Sequence, residues 1–527
     1  MSGPKWLNDA VFYEIYPQSF QDTNGDGIGD FEGIIERLDY IKNLGCNALW
    51  INPCYDSPFK DAGYDVRDYK SVAPRYGTNE DLYRLFDEAH RRSMHVFLDL
   101  VPGHTSEEHA WFRESGRAGH NEYSGRYIWS DLWIAGMQGH PYIAGECERN
   151  GTYMLNFFKC QPALNYGFGT VTAPWQDGLD DPEPHRTREA MKDVMRFWLS
   201  HGCDGFRVDM ADSLVKDDDD SKSGTAEVWR DLRRVIDEEY PEAALVSEWS
   251  NPKQAVLGAH FNMDFYLDHP GKAYNTLVRD NETEGPDRSF FRKDAGGDIE
   301  RFLPQFLSDY EAVKGHGYIA FITCNHDTPR MSRTLTERER KLAYAFLFTL
   351  PGVPFLYYGD EIGIPYFEDL PTKEGGYTRT GTRTPMQWNH GRNLGFSTAD
   401  AAKLYLPVDP SEDAATVEDA EADPDSLYHT VQDILQLRHA QDDLKADGEF
   451  AVVYAKKESC PFLYRRGSLL LGVNPSGSAV TVPWEELSQV PDQLAGHKSA
   501  EPLFCIGGGG AAAEGITLEA QSFMIVR

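Results

Sequence analysis

The sequence predicts an α/β fold: a (β/α)8 TIM barrel with a loop-rich domain inserted after the third strand and a C-terminal antiparallel β-sandwich domain. Three observations predict it. From the N-terminus onward, short β-branched or aromatic runs alternate with longer helical patterns, as successive βα units do. That rhythm is interrupted between His104 and Phe168 by a stretch rich in Gly, Asn, Tyr and Trp with no long helical pattern. After Ala446 the pattern changes to short alternating runs.

Single cores stop growing near roughly 250 to 300 residues, so a chain of 527 residues calls for attachments to one large domain. The expected divisions are 1–103 and 169–445 for the barrel, 104–168 for the insertion and 446–527 for the sandwich. Strand candidates in order are Val11 to Tyr16, Ala48 to Ile51, His95 to Leu100, Gly205 to Val208, Ala244 to Ser247, Ile319 to Thr323 and Pro354 to Tyr358. A fainter pattern over His260 to Phe265 completes eight. Between the first two strands, Ile34, Ile35, Leu38, Ile41 and Leu44 recur at helical spacing, predicting one helix over Phe31 to Leu44 with Gly45 as its stop. Asn79 is placed to cap the next helix, and Arg186 to His201 reads as a third. The sandwich strands are expected at Phe450 to Tyr454, Phe462 to Tyr464, Ser468 to Val473, Ala479 to Val482 and Phe523 to Val526. The acidic runs Asp217 to Asp220 and Glu418 to Asp425 read as solvated loops.

Composition narrows the function classes. Hydrophobic residues at 41% and aromatics at 13% exclude a mainly disordered chain. With 51 Lys and Arg against 84 Asp and Glu, the net charge of −33 repels nucleic acid and anionic membrane surfaces and favours a neutral small-molecule substrate. Met1 to Tyr13 has no apolar run after a basic segment, and nothing reaches the roughly 18 apolar residues of a membrane span. The eight cysteines are dispersed without CxxC spacing, so a cytoplasmic protein with reduced thiols is expected.

Catalytic side chains of such barrels sit at the carboxyl ends of strands, so an acid that terminates an apolar run is a candidate. Asp209 follows Phe206-Arg207-Val208, Glu248 follows Leu245-Val246-Ser247, and Asp327 follows the run through Asn325-His326. Singly, each acid could equally be a helix cap. Together with Arg207 and His326 they form a set suited to a cationic transition state, in which Arg207 is expected to lower the pKa of Asp209 and keep it ionised.

The segments DLVPGH (99–104), GFRVD (205–209), SEW (247–249) and NHD (325–327), flanked by GYD (63–65) and YYGDE (357–361), resemble the ordered signatures of the α-amylase superfamily. The resemblance spans nearly the whole chain. It implies a retaining glycosidase with Asp209 as nucleophile, Glu248 as acid and base, and Asp327 on the sugar hydroxyls. It further implies His326 and His104 on neighbouring hydroxyls, Tyr64 stacked on the bound ring, and Asp99 supporting Arg207. The opening residues 6–30, QPALN (161–165) and TRTPMQW (382–388) are similar to oligo-1,6-glucosidase and α-glucosidase members, in which residues at the positions of Asp65 and Arg383 pin the terminal glucose. Exo-action releasing glucose from malto- or isomalto-oligosaccharides follows. The chain departs from that group at Ala163, where Asp is usual, at Gly103, where Asn is usual, and at Met210 after the nucleophile, which leaves α-1,4 against α-1,6 preference open.

Residues 22–30 place oxygen side chains at alternate positions around glycines, as hard-cation loops do. Gly33 stands where an EF-hand needs an acid, so this is a shorter loop. The resemblance implies structural Ca2+, or Mg2+, held by Asp22, Asn24, Asp26, Asp30 and the carbonyl of Ile28. Alternatives within the same chemistry are a maltose-forming α-amylase and a transglycosylase or isomerase such as trehalose synthase or sucrose isomerase. Barrel relatives that serve as transporter heavy chains are disfavoured, because the three acids are kept and no span is present.

Overall fold

The computed structural model describes residues 3–132, 136–137, 139–267, 272–280, 287–491 and 502–527. Eight parallel strands close into a barrel: β1 (Phe12–Ile15), β2 (Ala48–Ile51), β3 (His95–Leu100), β4 (Gly205–Val208), β5 (Ala244–Ser247), β6 (Met263–Tyr266), β7 (Tyr318–Ile322) and β8 (Val353–Tyr357). Each strand pairs with its sequence neighbours, and β1 closes the ring by pairing Phe12 with both Ala48 and Phe355. Strands covered on both faces need apolar residues at almost every position, which is why they read as continuous runs.

Side chains alternate along a strand, so every second residue enters the barrel. Phe12, Trp50, Phe97, Phe265 and Phe355 enter at one level and pack as a plug, with Phe12 stacked on Phe355 at 4.2 Å and Phe97 edge-on to Phe12 at 4.9 Å. Gly205 is required here, because a Cβ would lie 2.5 Å from the Phe97 ring. Two residues further along the same strands come Glu14, Asn52, Asp99 and Arg207, so a polar layer sits directly on the aromatic floor. This layering positions the site.

Small antiparallel sheets interrupt and follow the barrel. Between β3 and β4, Trp129–Ser130, Thr152–Met154 and Tyr142–Ala144 form a three-stranded sheet with the 152–154 strand central. After the barrel, strands 450–454, 462–466, 469–474, 522–526 and 504–506 form one sheet in that order, and 480–483, 515–518 and 509–512 form a second. Leu463, Leu470, Val482, Ile516, Leu518 and Met524 fill the space between them.

Several local expectations are corrected. Phe31 to Leu44 is two helices, Phe31–Glu36 and Leu38–Leu44, because Arg37 leaves helical geometry to reach Gln21 at 2.6 Å and the Trp388 ring at 4.0 Å. Thr78, not Asn79, caps the helix Asn79–Arg91 through a reciprocal box with Asp81, while Asn79 accepts from the Val72 amide. The third helix spans Pro182–Ser200, beginning earlier than expected because Pro182 suits its first turn. The second acidic run contains a helix, Val417–Ala422, whose first-turn Glu418 and Asp419 suit its N-terminus. In the first run, Asp218 accepts from the amides of Gly224 and Thr225 at the start of the helix Ser223–Glu239. All eight cysteines are free. Among the described residues, no helix is long and apolar enough to cross a membrane.

Candidate active site

A cavity of about 360 Å3 opens at the carboxyl ends of the strands. Asp209, Glu248 and Asp327 all line it, together with Tyr64, His104, Asp61 and Arg379.

At its base, Arg207 joins three acids. Its Nη1 donates to Asp99 Oδ1 at 2.8 Å and to Asp209 Oδ1 at 2.9 Å, and its Nη2 lies 2.9 Å from Glu248 Oε1. Asp99 also accepts from Trp50 Nε1 at 3.0 Å, and burial raises its pKa to about 6 against the pull of Arg207. Asp209 lies well above the usual carboxyl range: burial and the Glu248 charge raise it, and Arg207 opposes both. The expected net lowering of Asp209 by Arg207 is therefore corrected, since one buried guanidinium is shared among three carboxylates.

Asp327 has the opposite character. Its Oδ1 accepts from Arg379 Nη1 at 3.0 Å and Arg383 Nη2 at 2.8 Å, and its Oδ2 lies 3.4 Å from His326 Nε2. Burial pushes its pKa up, but these neighbours hold it well below the carboxyl range. Burial also pushes His326 well below its ordinary value, so the two arginines carry the effect at neutral pH.

The Tyr64 ring stacks on His326 at 5.4 Å, and its hydroxyl lies 2.7 Å from His326 Nε2 and 3.1 Å from Asp99 Oδ2. On the far side, His326 Nδ1 lies 2.8 Å from Glu14 Oε1 and 3.1 Å from Asn52 Nδ2. His326 is thus fully buried behind Tyr64 and does not line the cavity, contrary to its expected contact with a hydroxyl. His104 does line it, but both ring nitrogens are engaged, Nε2 with the Tyr64 carbonyl at 3.2 Å and Nδ1 with Asn156 at 3.1 Å.

Asp65 and Arg383 do not pair and do not line the cavity. Asp65 turns inward to cap the 57–61 turn, accepting from Ser57 Oγ and from the amides of Lys60 and Asp61. Arg383 is buried against Asp327 and the His326 carbonyl. Four residues before each, Asp61 and Arg379 occupy the cavity wall, 3.6 Å apart. Gln161 Nε2 donates to Asp61 Oδ2 at 2.7 Å, and burial raises the Asp61 pKa to about 6.

The α-amylase catalytic-domain profile matches residues 14–447. The chain belongs to the α-amylase family. It is 34% identical to trehalose synthase/amylase TreS of Mycolicibacterium smegmatis over 452 residues, 78% of this chain and 71% of that one. It is 31% identical to an oligo-1,6-glucosidase of Heyndrickxia coagulans over 520 residues, 85% and 88% of the two chains. Among solved structures, isomaltulose synthase of Erwinia rhapontici NX5, crystallised as a mutant with sucrose, superposes with a TM-score of 0.78 at 25% identity over 99% of both chains.

Two positions of this α-amylase-family site, Asp264 and Glu14, escaped the sequence reading. Asp264 on β6 accepts from Ser247 Oγ at 2.6 Å and from the Asn251 amide at 2.7 Å, fixing the loop that carries Glu248, and burial raises it to about 7. Glu14 on β1 supports His326. Both are lone acids inside apolar runs, a signal that could have found them. Met210, which the sequence marks as a departure after the nucleophile, has φ of 42° and donates its amide to Glu248 Oε2 at 2.9 Å, tying the residue after Asp209 to the neighbouring acid.

The 22–30 loop is held by its own hydrogen bonds. Asp22 accepts from the amides of Gly25 and Gly27 and from Ser397 Oγ, Asn24 from Asp26, Asp26 from Ile28, and Asp30 from Thr23 and Gly33. The donor types suit a hard cation. Among the described residues, however, no three His, Cys, Asp or Glu side chains gather closely enough to share one. The side chains expected to hold the ion are engaged as acceptors of the loop's own hydrogen bonds.

Proposed function

We propose that this α-amylase-family enzyme is a retaining α-glucoside hydrolase that removes single glucose units from short malto- or isomalto-oligosaccharides. The observation that carries the reading is the Arg207 fork, which brings Asp209 and Glu248 onto one guanidinium. Two carboxyls joined through one guanidinium and lining one cavity suit double displacement, in which one attacks and the other handles the proton. Asp209 attacks the anomeric carbon as Glu248 protonates the departing glycosidic oxygen, leaving a glycosyl ester on Asp209. Glu248, now a carboxylate, takes a proton from water, and that water displaces Asp209. Both acids are restored, with configuration retained. Asp327, kept ionised by Arg379 and Arg383, supplies negative charge beside the oxocarbenium-like ring. Asp61 and Arg379 line the cavity 3.6 Å apart, an ion pair able to hold the hydroxyls of a terminal sugar, which supports exo-action.

A second reading replaces water with a sugar hydroxyl, giving a transglycosylase or isomerase. It is supported by the similarity to relatives named trehalose synthase and isomaltulose synthase, and by Phe157, Met210 and Trp249, which line the same cavity and offer apolar surface to an acceptor sugar. Product time courses from maltotriose, isomaltotriose, panose, sucrose and trehalose separate the two. Early glucose with stepwise shortening is expected. New linkages before free glucose establish transfer, and maltose as the main early product establishes a maltose-forming amylase. Asp209→Asn or Glu248→Gln is expected to lower turnover by several orders of magnitude.

A further inference from the structure

We propose that Asn156, contributed by the inserted domain, is a positioning residue that sets the ring tautomer of His104 and links it to Met210, from the space that Gly103 leaves open. The inference rests on the glycosidase reading above for its kinetic consequence, but its structural part stands alone.

The space is defined by contact. A Cβ at Gly103 would lie 2.8 Å from Asn156 Nδ2 and 3.4 Å from Asn156 Cγ, so the Asn156 amide already fills the volume of a side chain at that position. The amide cannot swing away freely. Lys216 Nζ donates to Asn156 Oδ1 at 2.7 Å and to the Ser213 carbonyl at 2.6 Å.

The orientation of that amide follows from the partners. A lysine ammonium only donates, so the atom facing it must be the amide oxygen and the nitrogen must face His104. Asn156 Nδ2 is 3.1 Å from His104 Nδ1, which therefore accepts and carries no proton. On the other side of the ring, His104 Nε2 lies 3.2 Å from the Tyr64 carbonyl, a group that only accepts, so Nε2 carries the proton. Two independent partners demand the same tautomer. Burial agrees, lowering the His104 pKa to about 3 and keeping the ring neutral.

The same Asn156 nitrogen approaches Met210 Sδ at 3.8 Å. Met210 follows Asp209 and holds a left-handed backbone conformation, while Tyr64 provides the aromatic wall of the cavity. One amide thus braces the segment after the nucleophile and, through His104, the backbone of the residue facing the sugar. Changes at Asn156 therefore act on sugars that occupy both sides of the scissile bond more than on those that fill only the glucosyl side.

The test is a set of variants read by NMR and kinetics. Asn156→Asp keeps the volume and the Lys216 contact but has no N–H for His104. Nitrogen-15 shifts of the His104 ring are expected to show Nδ1 unprotonated in the wild type and protonated in Asn156→Asp. With folding verified by an unchanged circular dichroism spectrum, kcat/KM of Asn156→Asp is expected to fall ~10-fold for maltose or isomaltose and ~3-fold or less for an aryl α-glucoside. Gly103→Asn alone is expected to lose at least as much as Asn156→Asp, and Gly103→Asn with Asn156→Gly to recover most of that loss. Wild-type His104 protonated on Nδ1 overturns the proposal, as does disaccharide activity of Asn156→Asp within ~2-fold of wild type, or a double variant no better than Gly103→Asn. If the wild type cleaves no α-glucoside, the glycosidase reading fails, while the NMR result still decides the tautomer.

Discussion

Arg207 Nη1 donates to Asp209 Oδ1 at 2.9 Å, yet the Asp209 carboxyl lies above its ordinary pKa rather than below it. Burial leads, the Glu248 charge adds, and the shared guanidinium does not offset both. The site is built for charge at the expense of the fold. An acid whose folded pKa is raised contributes its stability below the unfolded pKa and loses it as pH climbs through the folded value. Above pH 3.8, then, ionising Asp209 costs stability. Asp209→Asn removes that cost, and its melting temperature is expected to exceed the wild type by about 2 °C or more at pH 7 and by much less at pH 4. A gap that does not grow with pH would show that Asp209 is not the strained group.

The pairing of Asp61 with Arg379, and not of Asp65 with Arg383, predicts a division of labour four residues apart. Asp61→Asn is expected to reduce kcat/KM for short oligosaccharides by ~10- to 100-fold, the range of one charge-assisted hydrogen bond, with little change in melting temperature. Asp65→Asn is expected to do the reverse, because it caps a turn with three hydrogen bonds and does not line the cavity. Steady-state kinetics beside thermal melts on both variants decide it. Loss of activity confined to Asp65→Asn would return the terminal-glucose site to Asp65.

The barrel strands and their terminal acids were legible because burial on both faces forces apolar runs, and an acid ending such a run stands out. Direction within a turn was not. Asp61 and Asp65 lie in one short segment, and which of them faces the cavity depends on which carboxylate caps the turn, a choice made by the amides of Lys60 and Asp61 rather than by spacing. Partners distant in sequence were equally hidden. The neighbour of Gly103 is Asn156, across the insertion, and no local pattern joins them. The strand Gly509–Ala512 has no apolar alternation and takes its place by pairing with Gly515–Leu518.

The ion proposed at the 22–30 loop is separable from the turns that already hold it. Asp22→Ala leaves two amides and Ser397 without their acceptor, and is expected to cost ~1 to 3 kcal/mol whether or not calcium is present. A bound cation adds a second effect. Calcium added to chelator-treated wild type is expected to raise the melting temperature, and Asp26→Ala, a change at an exposed side chain, is expected to abolish that increment. No increment in the wild type would remove the ion and leave the hydrogen bonds as the whole account of the loop.

At the opposite end of the barrel, Arg438 and Arg466 are fully buried, and among the described residues their hydrogen bonds go to carbonyl oxygens. Arg438 donates from Nη1 to Phe348 and Leu444 at 2.9 and 2.7 Å and from Nη2 to Gly352 at 2.6 Å. Arg466, on a strand of the C-terminal sheet, donates to the carbonyls of Thr349 and Lys445. Burial lowers both, Arg438 to about 9 and Arg466 to about 10, and the nearby Arg466 charge lowers Arg438 further. The fork geometry of guanidinium is what reaches several carbonyls at once, and a lysine ammonium on one stem cannot. Arg438→Lys and Arg438→Met are therefore both expected to destabilise by ~2 kcal/mol or more, since buried carbonyls are left without donors. Because these residues sit at the amino ends of the strands, kcat/KM measured well below the lowered melting temperature is expected to stay within ~2-fold of wild type. A lysine variant as stable as the wild type would mean that a single charge suffices, and a variant that loses activity while remaining folded would place this clamp in communication with the cavity.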